Sequence, residues 1–279
     1  MKNKKQTLLW KISSDKTPGD SYVFGTMHVR DKDAFQYRDL VFEKIDACDA
    51  FATEFNLEEM EHNVSANLLD LKEGETLDIL LSKKQYEKAN KVFQKVTGMD
   101  LELFNSSQPI LVANLMAGKM LSEEMPHSLD ETLWQYAREQ EKLVLGVETY
   151  SEQISILLKI PLDYQVKNLM SIVKNLSAYK KGIKKMTKLY KKADIQQLYK
   201  SVKKSSKGMR KLLLYNRNEI MAERIAEMAT EQSICVAIGA GHLGGSKGVL
   251  RLLKKRGFIV RPVPGPQTVA DVPAELETE

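Results

Sequence analysis

Two short stretches of the chain place a histidine three residues after a glycine. Gly25 and His28 stand in YVFGTMH, and Gly239 and His242 stand in VAIGAGH. Each glycine ends an apolar run typical of a β-strand, so each histidine is expected in the loop that follows a strand. One such pair is common, and an isolated histidine at a strand end is usually structural. The repetition, which uses half of the four histidines in the chain, favours a shared chemical role.

Two acidic residues end apolar runs in the same way. Glu54 stands in FATEF, and Glu148 ends LVLGVE. Ligands of α/β sheets bind at the carboxyl ends of strands, so these carboxylates are expected beside His28 and His242. Two imidazoles and one carboxylate suit a divalent metal ion with positions open for water and substrate. A second carboxylate would serve as a general base on that water.

The second motif also fits the Gly-x-Gly-x-x-Gly pattern of dinucleotide-binding loops, through Gly239, Gly241 and Gly244. That pattern normally opens a βαβ unit and is followed about 20 residues later by an acid that holds the ribose. The next strand here ends in VRPVPG and supplies no acid. The three glycines are better explained as room for the backbone to turn around His242.

The elements that must position these residues are predicted from periodicity and turn residues. LLWKI and SYVFGT flank a loop rich in turn residues and are expected to form a hairpin. Further strands are predicted at DAFATEF, KLVLGVE, SICVAIG and FIVRPV. Helical patterns cover 37–47, 57–71, 83–96, 107–121, 129–138, 149–158 and 246–256. The region after Pro161, up to about Thr230, is also mostly helical.

These elements predict an α/β fold: a central mixed β-sheet formed by N- and C-terminal strands, with a large, mainly helical insertion. With 43% hydrophobic residues, a chain of 279 residues can bury a large core. We expect a single domain over 1–264, with helical insertions at about 57–138 and 149–230. The tail at 265–279 ends in several acids, and we expect it to be disordered.

The composition favours a soluble chain that is not exported. Lys11 interrupts the apolar residues Leu8 to Trp10, so no signal-peptide core can be drawn, and no apolar run approaches the roughly 20 residues that span a bilayer. We therefore expect a cytoplasmic protein, or an exported one whose signal has been removed. Cys48 and Cys235 lack a metal-ligand spacing and are expected to be buried free thiols.

The net charge of +5 is very unevenly distributed. The segment from Lys180 to Lys211 contains thirteen Lys or Arg and a single acid, Asp194, so it carries +12. This asymmetry is typical of a surface that contacts an acidic partner or an anionic membrane, or of the solvated face of an ordinary helix. Its only aromatic residues are Tyr190 and Tyr199, which argues against a specific nucleic-acid partner.

Three other polar residues receive more modest interpretations. His62 and His127 have no comparable setting and are expected to be surface or packing residues. Asp130, in SLDETL, suits a helix cap or a carboxylate that supports one of the site histidines.

Taken in order, these segments resemble the TraB/PrgY/GumN family, to which the Tiki proteases also belong, over nearly the whole chain. LLWKISS…YVFGTMH resembles the opening strand pair, ATEFNL the acid-bearing second motif, and SLDETLWQYAREQEKLVLGVETYSEQISIL the central block. LLYNRNEIMAERI…VAIGAGHLGGSKGVLRLLKKRGFIVRPV resembles the closing block and is the most specific, because it joins an Arg-Asn pair to the second Gly-x-x-His. Ser128 stands where members often have glycine.

The resemblance implies a fold akin to the erythromycin esterase and ChaN-like group and a metal-dependent hydrolase, above all a peptidase. By position, it assigns His28, His242 and Glu54 to a divalent metal ion and its water. The sequence does not identify the metal, for which Mn, Co and Zn are candidates. The substrate would be a peptide or another small acidic molecule.

The closing helix supplies Arg217 and Asn218. Arg217 would polarise the scissile carbonyl or bind a substrate carboxylate, or it would form a salt bridge to Glu54 or Glu148. Asn218 would orient either group, and Glu148 would assist the site or pack against its own helix.

A non-enzymatic regulatory protein is the alternative. The same pocket would then bind haem, a metal ion or a small ligand without turnover, while the basic segment contacts an acidic partner or a membrane surface. Metal content and hydrolysis of a random peptide library distinguish the two functions.

Overall fold

A computed structural model describes residues 6–59, 69–121 and 123–266. Six strands form one mixed sheet; they are β1 Leu9–Ser13, β2 Ser21–Thr26, β3 Ala50–Phe55, β4 Leu143–Glu148, β5 Ile234–Gly239 and β6 Ile259–Pro262. Their order across the sheet is β4-β3-β5-β2-β1-β6. This arrangement confirms the predicted α/β fold with a central mixed sheet and helices inserted between its strands.

Four neighbouring strands of the sheet, in the order β4, β3, β5 and β2, run parallel to one another. Strand β1 is antiparallel to both β2 and β6, with Leu9 opposite Phe24, which confirms the predicted hairpin. Strands β3 and β5 are buried along nearly their whole length, as their continuous apolar sequences require in a parallel sheet covered by helices. Because the four strands are parallel, their carboxyl ends lie along a single edge.

Helices fill the chain between the strands. The α-helices are α1 Arg38–Asp46, α2 Leu77–Leu80, α3 Lys83–Thr97, α4 Pro109–Lys119, α5 Leu129–Glu139, α6 Tyr150–Leu158, α7 Leu162–Lys174, α8 Leu176–Lys191, α9 Ile195–Ser205, α10 Asn216–Glu231 and α11 Val249–Lys255. Short 3-10 helices lie at Lys32–Tyr37, Leu101–Phe104 and Ala240–His242, and a π-helical segment lies at Lys211–Tyr215.

Local sequence signals set several of these helix ends. Ser82 and Gln85 form a reciprocal capping box at the start of α3, and Gly98 ends that helix in the left-handed conformation with φ +76°. The last helix, α11, is shorter than predicted. Gly245 adopts φ +82° and Gly248 is the N-cap, so the helix cannot begin at 246. Of the predicted helix at 57–71, residues 60–68 lie outside the described residues, as do His62 and 267–279 of the predicted tail.

Two apolar clusters hold the structure together. The larger packs helices on the sheet around buried side chains such as Phe24, Phe51 and Ile238. The smaller joins α2, α3, α4 and α7 through Phe93 and Met116, among others. Cys48 and Cys235 are buried free thiols, as predicted. Among the described residues, no helix has the length and apolar character needed to cross a membrane.

Candidate functional site

The sheet order brings the four sequence-predicted strand ends into one row. Along the edge, β4 ends at Glu148, β3 carries Glu54, β5 leads to His242 and β2 leads to His28. A cavity of about 280 Å³ at this edge is lined by His28, Glu54 and His242, together with Arg217. Glu148 is buried and contacts Arg217. The structure therefore brings the predicted carboxylates and histidines to one place.

The two Gly-x-x-His motifs pack directly against each other. A Cβ atom on Gly25 would lie 3.0 Å from Cβ of Ala240 and 2.7 Å from Cδ1 of Leu243. The carbonyl of Gly25 also accepts a 2.8 Å hydrogen bond from Oη of the buried Tyr190. The first motif therefore needs its glycine because the second motif approaches it closely.

Arg217, in the first turn of α10, joins the two carboxylates. Its Nε lies 3.0 Å from Oε1 of Glu148, and its Nη2 lies 2.6 Å from Oε2 of Glu148 and 2.9 Å from Oε2 of Glu54. Burial lowers the pKa of Arg217, but the hydrogen bonds to Glu148 and Glu54 outweigh burial and raise it, so the guanidinium stays charged. Of the roles considered for Arg217, the salt bridge is formed, and it reaches both Glu54 and Glu148. Among the described residues, no hydrogen bond from its Nη1 is formed, and Arg217 lines the cavity.

Glu54 is held at both oxygens. Its Oε1 accepts a 2.7 Å hydrogen bond from the amide of Gly239, and its Oε2 faces Arg217. Burial raises the pKa of Glu54, but His242, which is protonated at the low pH where Glu54 titrates, and the Arg217 guanidinium outweigh burial and hold the pKa well below its ordinary range. Glu54 is therefore an anion in the site.

Gly239 of the second motif is not required by a turn of the backbone, as the sequence indicated, but by a close contact. Gly239 has φ −53°, which any residue can adopt, so no sharp turn requires glycine here. A Cβ atom at this position would instead lie 2.9 Å from Oε1 of Glu54. Gly239 is small because the carboxylate contacts its backbone.

His242 is buried and its proton position is fixed. Nδ2 of Asn218 donates to the carbonyl of Lys247 at 2.6 Å, so Oδ1 of Asn218 faces Nδ1 of His242, also at 2.6 Å. Because an amide oxygen only accepts, Nδ1 carries the hydrogen and Nε2 keeps its lone pair. Burial lowers the pKa of His242 to about 4, so the ring is neutral at pH 7. Nε2 lies 3.9 Å from Oε1 of Glu54.

His28 has a similar contact in a different environment. Its Nδ1 lies 3.0 Å from Oδ2 of Asp130, a buried carboxylate in the first turn of α5, while the imidazole itself is 58% exposed. Among the described residues no well-aligned hydrogen bond reaches that oxygen, so the contact is an ion pair. Asp130 raises the pKa of His28 to about 9. Ser128 provides the N-cap of α5, which leaves Asp130 free to support the histidine.

A model of the TraB/PrgY/gumN family matches residues 8–262. The chain belongs to the TraB/PrgY/gumN family. The match runs from the first strand of the sheet to the last, so it includes every strand end described above. No curated protein and no solved structure was found to match the chain.

This member of the TraB/PrgY/gumN family has site residues that the sequence did not single out. Nε2 of Gln153 in α6 donates to Oε2 of Glu148 at 3.2 Å and lies 3.4 Å from Oε2 of Glu54. Met186 and Val202, from α8 and α9, form part of the cavity wall. A glutamine and two apolar residues in helices carry no signature of chemistry, so only the fold reveals their place.

The site contains donor atoms of the types that a divalent metal ion binds. Neutral His242 and ionised Glu54 are suitable ligands, but their 3.9 Å separation is longer than the roughly 3.4 Å between two ligands about 2.1 Å from a tetrahedral ion, so the two side chains would have to move closer. The buried oxygens behind His28 and His242 resemble the groups that orient metal-binding histidines. Within the described parts of the chain, however, no three His, Cys, Asp or Glu side chains are grouped so as to hold an ion. The fit is one of donor chemistry, not of a preformed three-ligand cluster.

Proposed function

We propose that this TraB/PrgY/gumN-family protein is a metal-dependent hydrolase that cleaves peptide or related amide bonds at the strand-end cavity. One observation carries the proposal: both histidines hold Nδ1 against a side-chain oxygen, from Asn218 and from Asp130. Both histidines line one cavity with Glu54, and in neither ring is Nε2 the atom that contacts the supporting oxygen. Two histidines that only packed the core would not both need a side-chain oxygen at Nδ1 beside the same cavity.

Each residue has a role that follows from its contacts. His242, His28 and Glu54 would hold a divalent ion of the Mn, Co or Zn type, which would supply a water of lowered pKa and polarise the substrate carbonyl. His28 is charged at neutral pH without the ion, so it would release its Nε2 proton as the ion binds. Glu54 is ionised and beside His242, so it would accept the proton of the attacking water, whose pKa the ion would lower. Nη1 of Arg217 would donate to the oxyanion that develops on the carbonyl.

Glu148 and Asn218 would position these groups. Glu148 holds the Arg217 guanidinium through both of its oxygens, and Asn218 fixes the His242 tautomer. Neither needs to touch the substrate. Loss of this kind of support typically costs 10- to 100-fold in metal affinity or activity.

The test combines metal binding with turnover. The full chain is stripped of metal, equilibrated separately with Mn²⁺, Co²⁺ and Zn²⁺, and assayed for bound ion and for cleavage of a random peptide library by mass spectrometry. Cleavage that needs the ion is the expected result. Glu54→Gln should then reduce turnover by at least about 100-fold with the fold intact, because the neutral amide cannot accept the proton.

Glu139→Gln is the matched control, because Glu139 is exposed at the end of α5 and should leave turnover unchanged. Unchanged activity of Glu54→Gln would exclude Glu54 from the reaction. Retention of an ion or haem without cleavage of any peptide would overturn the hydrolase and favour a regulatory binding protein. A binding protein would need the same fixed Glu54 carboxylate, whose two oxygens accept hydrogen bonds from Arg217 and from the amide of Gly239.

A further inference from the structure

Helix α8 presents a row of lysines on one side only. At 100° per residue, the lysines project within an arc of about 140° along a helix about 24 Å long. They are Lys180, Lys181, Lys184, Lys185, Lys188 and Lys191 of α8 and Lys192 at its C-cap, and all seven are exposed. We call these seven residues the lysine face.

The charge of the lysine face is almost unneutralised. Among the described residues, only Lys191 of this set forms an ion pair, at 2.8 Å to Asp33. Helix α8 itself contains no acidic residue. Six neighbouring positive charges without protein partners produce a strong local potential that attracts anions.

The lysine face is fixed in its outward orientation. Tyr190, on the opposite side of α8, is fully buried and hydrogen-bonds to Gly25, and Met186 packs against the same core. Both residues also line the candidate site cavity. The inner side of α8 is therefore part of the site wall, and the helix cannot turn its apolar side outward without opening that wall.

We propose that the lysine face docks the protein on an anionic lipid surface. Clusters of four to eight lysines beside a membrane are attracted by acidic headgroups, and this attraction requires only charge and position. Specific protein interfaces instead centre on aromatic, apolar or arginine anchors and are poor in lysine. The lysine face has no such apolar anchor, since none of the strongly exposed large apolar residues among the described residues lies in α8. Those residues are Ile79, Leu103, Leu143, Leu158, Ile220 and Ile259.

Two other anionic partners fit the face less well. Single-stranded nucleic acid needs aromatic side chains on which bases stack, and Tyr190 points inward. An acidic polypeptide would gain only exposed ion pairs, which contribute little each. Docking on lipid would be peripheral, since the apolar side of α8 stays in the core, and it does not depend on the proposed hydrolase activity.

The experiment measures binding of the full chain to vesicles. Sedimentation is compared for neutral phosphatidylcholine vesicles and for vesicles with about one third phosphatidylglycerol, at low and physiological salt. We expect binding to the anionic vesicles alone. Physiological salt should weaken this binding, because it shortens the Debye length, the distance over which charges act, to about 8 Å. Replacing Lys181, Lys184, Lys185 and Lys188 by glutamine should weaken binding at low salt by at least about tenfold.

The matched control removes the same net charge from another basic helix. Lys83, Lys84, Lys88 and Lys91 of α3 are also exposed, and their replacement by glutamine should leave binding near that of the parent. Acetylation of bound protein should show protection of the α8 lysines and not of the α3 lysines. Equal losses in both variants, or no vesicle binding, would overturn the proposal. So would equally tight binding to poly-glutamate or duplex DNA, because the face would then not select lipid.

Discussion

At the residue scale, two motifs that look alike in sequence hold histidines with opposite protonation. His242 is buried against the neutral amide of Asn218, and its pKa falls to about 4. His28 is largely exposed beside the Asp130 carboxylate, and its pKa rises to about 9. At neutral pH the first ring is therefore neutral and the second is charged. The partner of Nδ1 and the degree of burial decide this difference.

The Asn218 side chain should control the proton position on His242. Asn218→Leu removes the acceptor of the Nδ1 hydrogen and leaves both this group and the Lys247 carbonyl without a partner. We expect the free energy of unfolding to fall by about 1–3 kcal/mol, because the Nδ1–H group of His242 is buried. Imidazole ¹⁵N shifts should report an Nδ1–H ring in the parent and its loss in the variant.

Asn114→Leu is the control, since Asn114 is exposed on α4 and should change neither measurement. An Nε2–H ring at His242 in the parent protein would contradict the tautomer that we derive from the hydrogen bonds.

At the element scale, glycine can be replaced in two helices but not at the end of a strand. Gly118 and Gly182 lie inside α4 and α8, are exposed, and would accept a Cβ atom without any contact within 4 Å. Gly239 ends β5 with Oε1 of Glu54 only 2.9 Å from the position of a Cβ atom. Helix glycines are thus replaceable, whereas the strand-end glycine is required by the carboxylate.

Alanine substitutions should separate these cases. Gly118→Ala and Gly182→Ala should each raise the free energy of unfolding by about 0.5–1 kcal/mol, because glycine inside a helix costs conformational entropy. Gly239→Ala should lower it by about 1–3 kcal/mol, because the methyl group displaces the Glu54 carboxylate from the backbone amide. Urea unfolding midpoints measure all three, and a shift of all three in the same direction would refute the argument.

At the scale of the whole molecule, the sheet core and the helical core are separate apolar clusters. Phe93 is buried in the helical core, while both tryptophans of the chain, Trp10 and Trp134, belong to the sheet core. The sequence predicts one domain over 1–264. In a single domain, a substitution that destabilises the helical core also lowers the unfolding midpoint reported by the tryptophans of the sheet core.

Phe93→Ala tests this coupling. Truncating a buried phenylalanine costs about 3–5 kcal/mol. We expect the midpoints from tryptophan fluorescence and from far-UV circular dichroism to fall together, because a single domain unfolds cooperatively. A fluorescence midpoint that stays in place while the helical signal melts earlier would show two independently folding units.

The sequence by itself determined the elements and the candidate residues. Apolar runs ending in Glu54, Glu148, Gly25 and Gly239 identified four strands and their chemistry, because strand periodicity and turn residues are local properties. Helix ends with strong signals, such as the Ser82 capping box and the left-handed Gly98, were equally accessible.

Only the tertiary structure decided how these residues meet. The order β4-β3-β5-β2 depends on pairing between strands distant in sequence, and this order alone places Glu54 between Glu148 and His242. The engagement of Arg217 with both carboxylates, the neutral state of His242 and the size limit at Gly239 follow from that packing. No local pattern encodes them, because each is set by burial and by atoms contributed from other strands and helices.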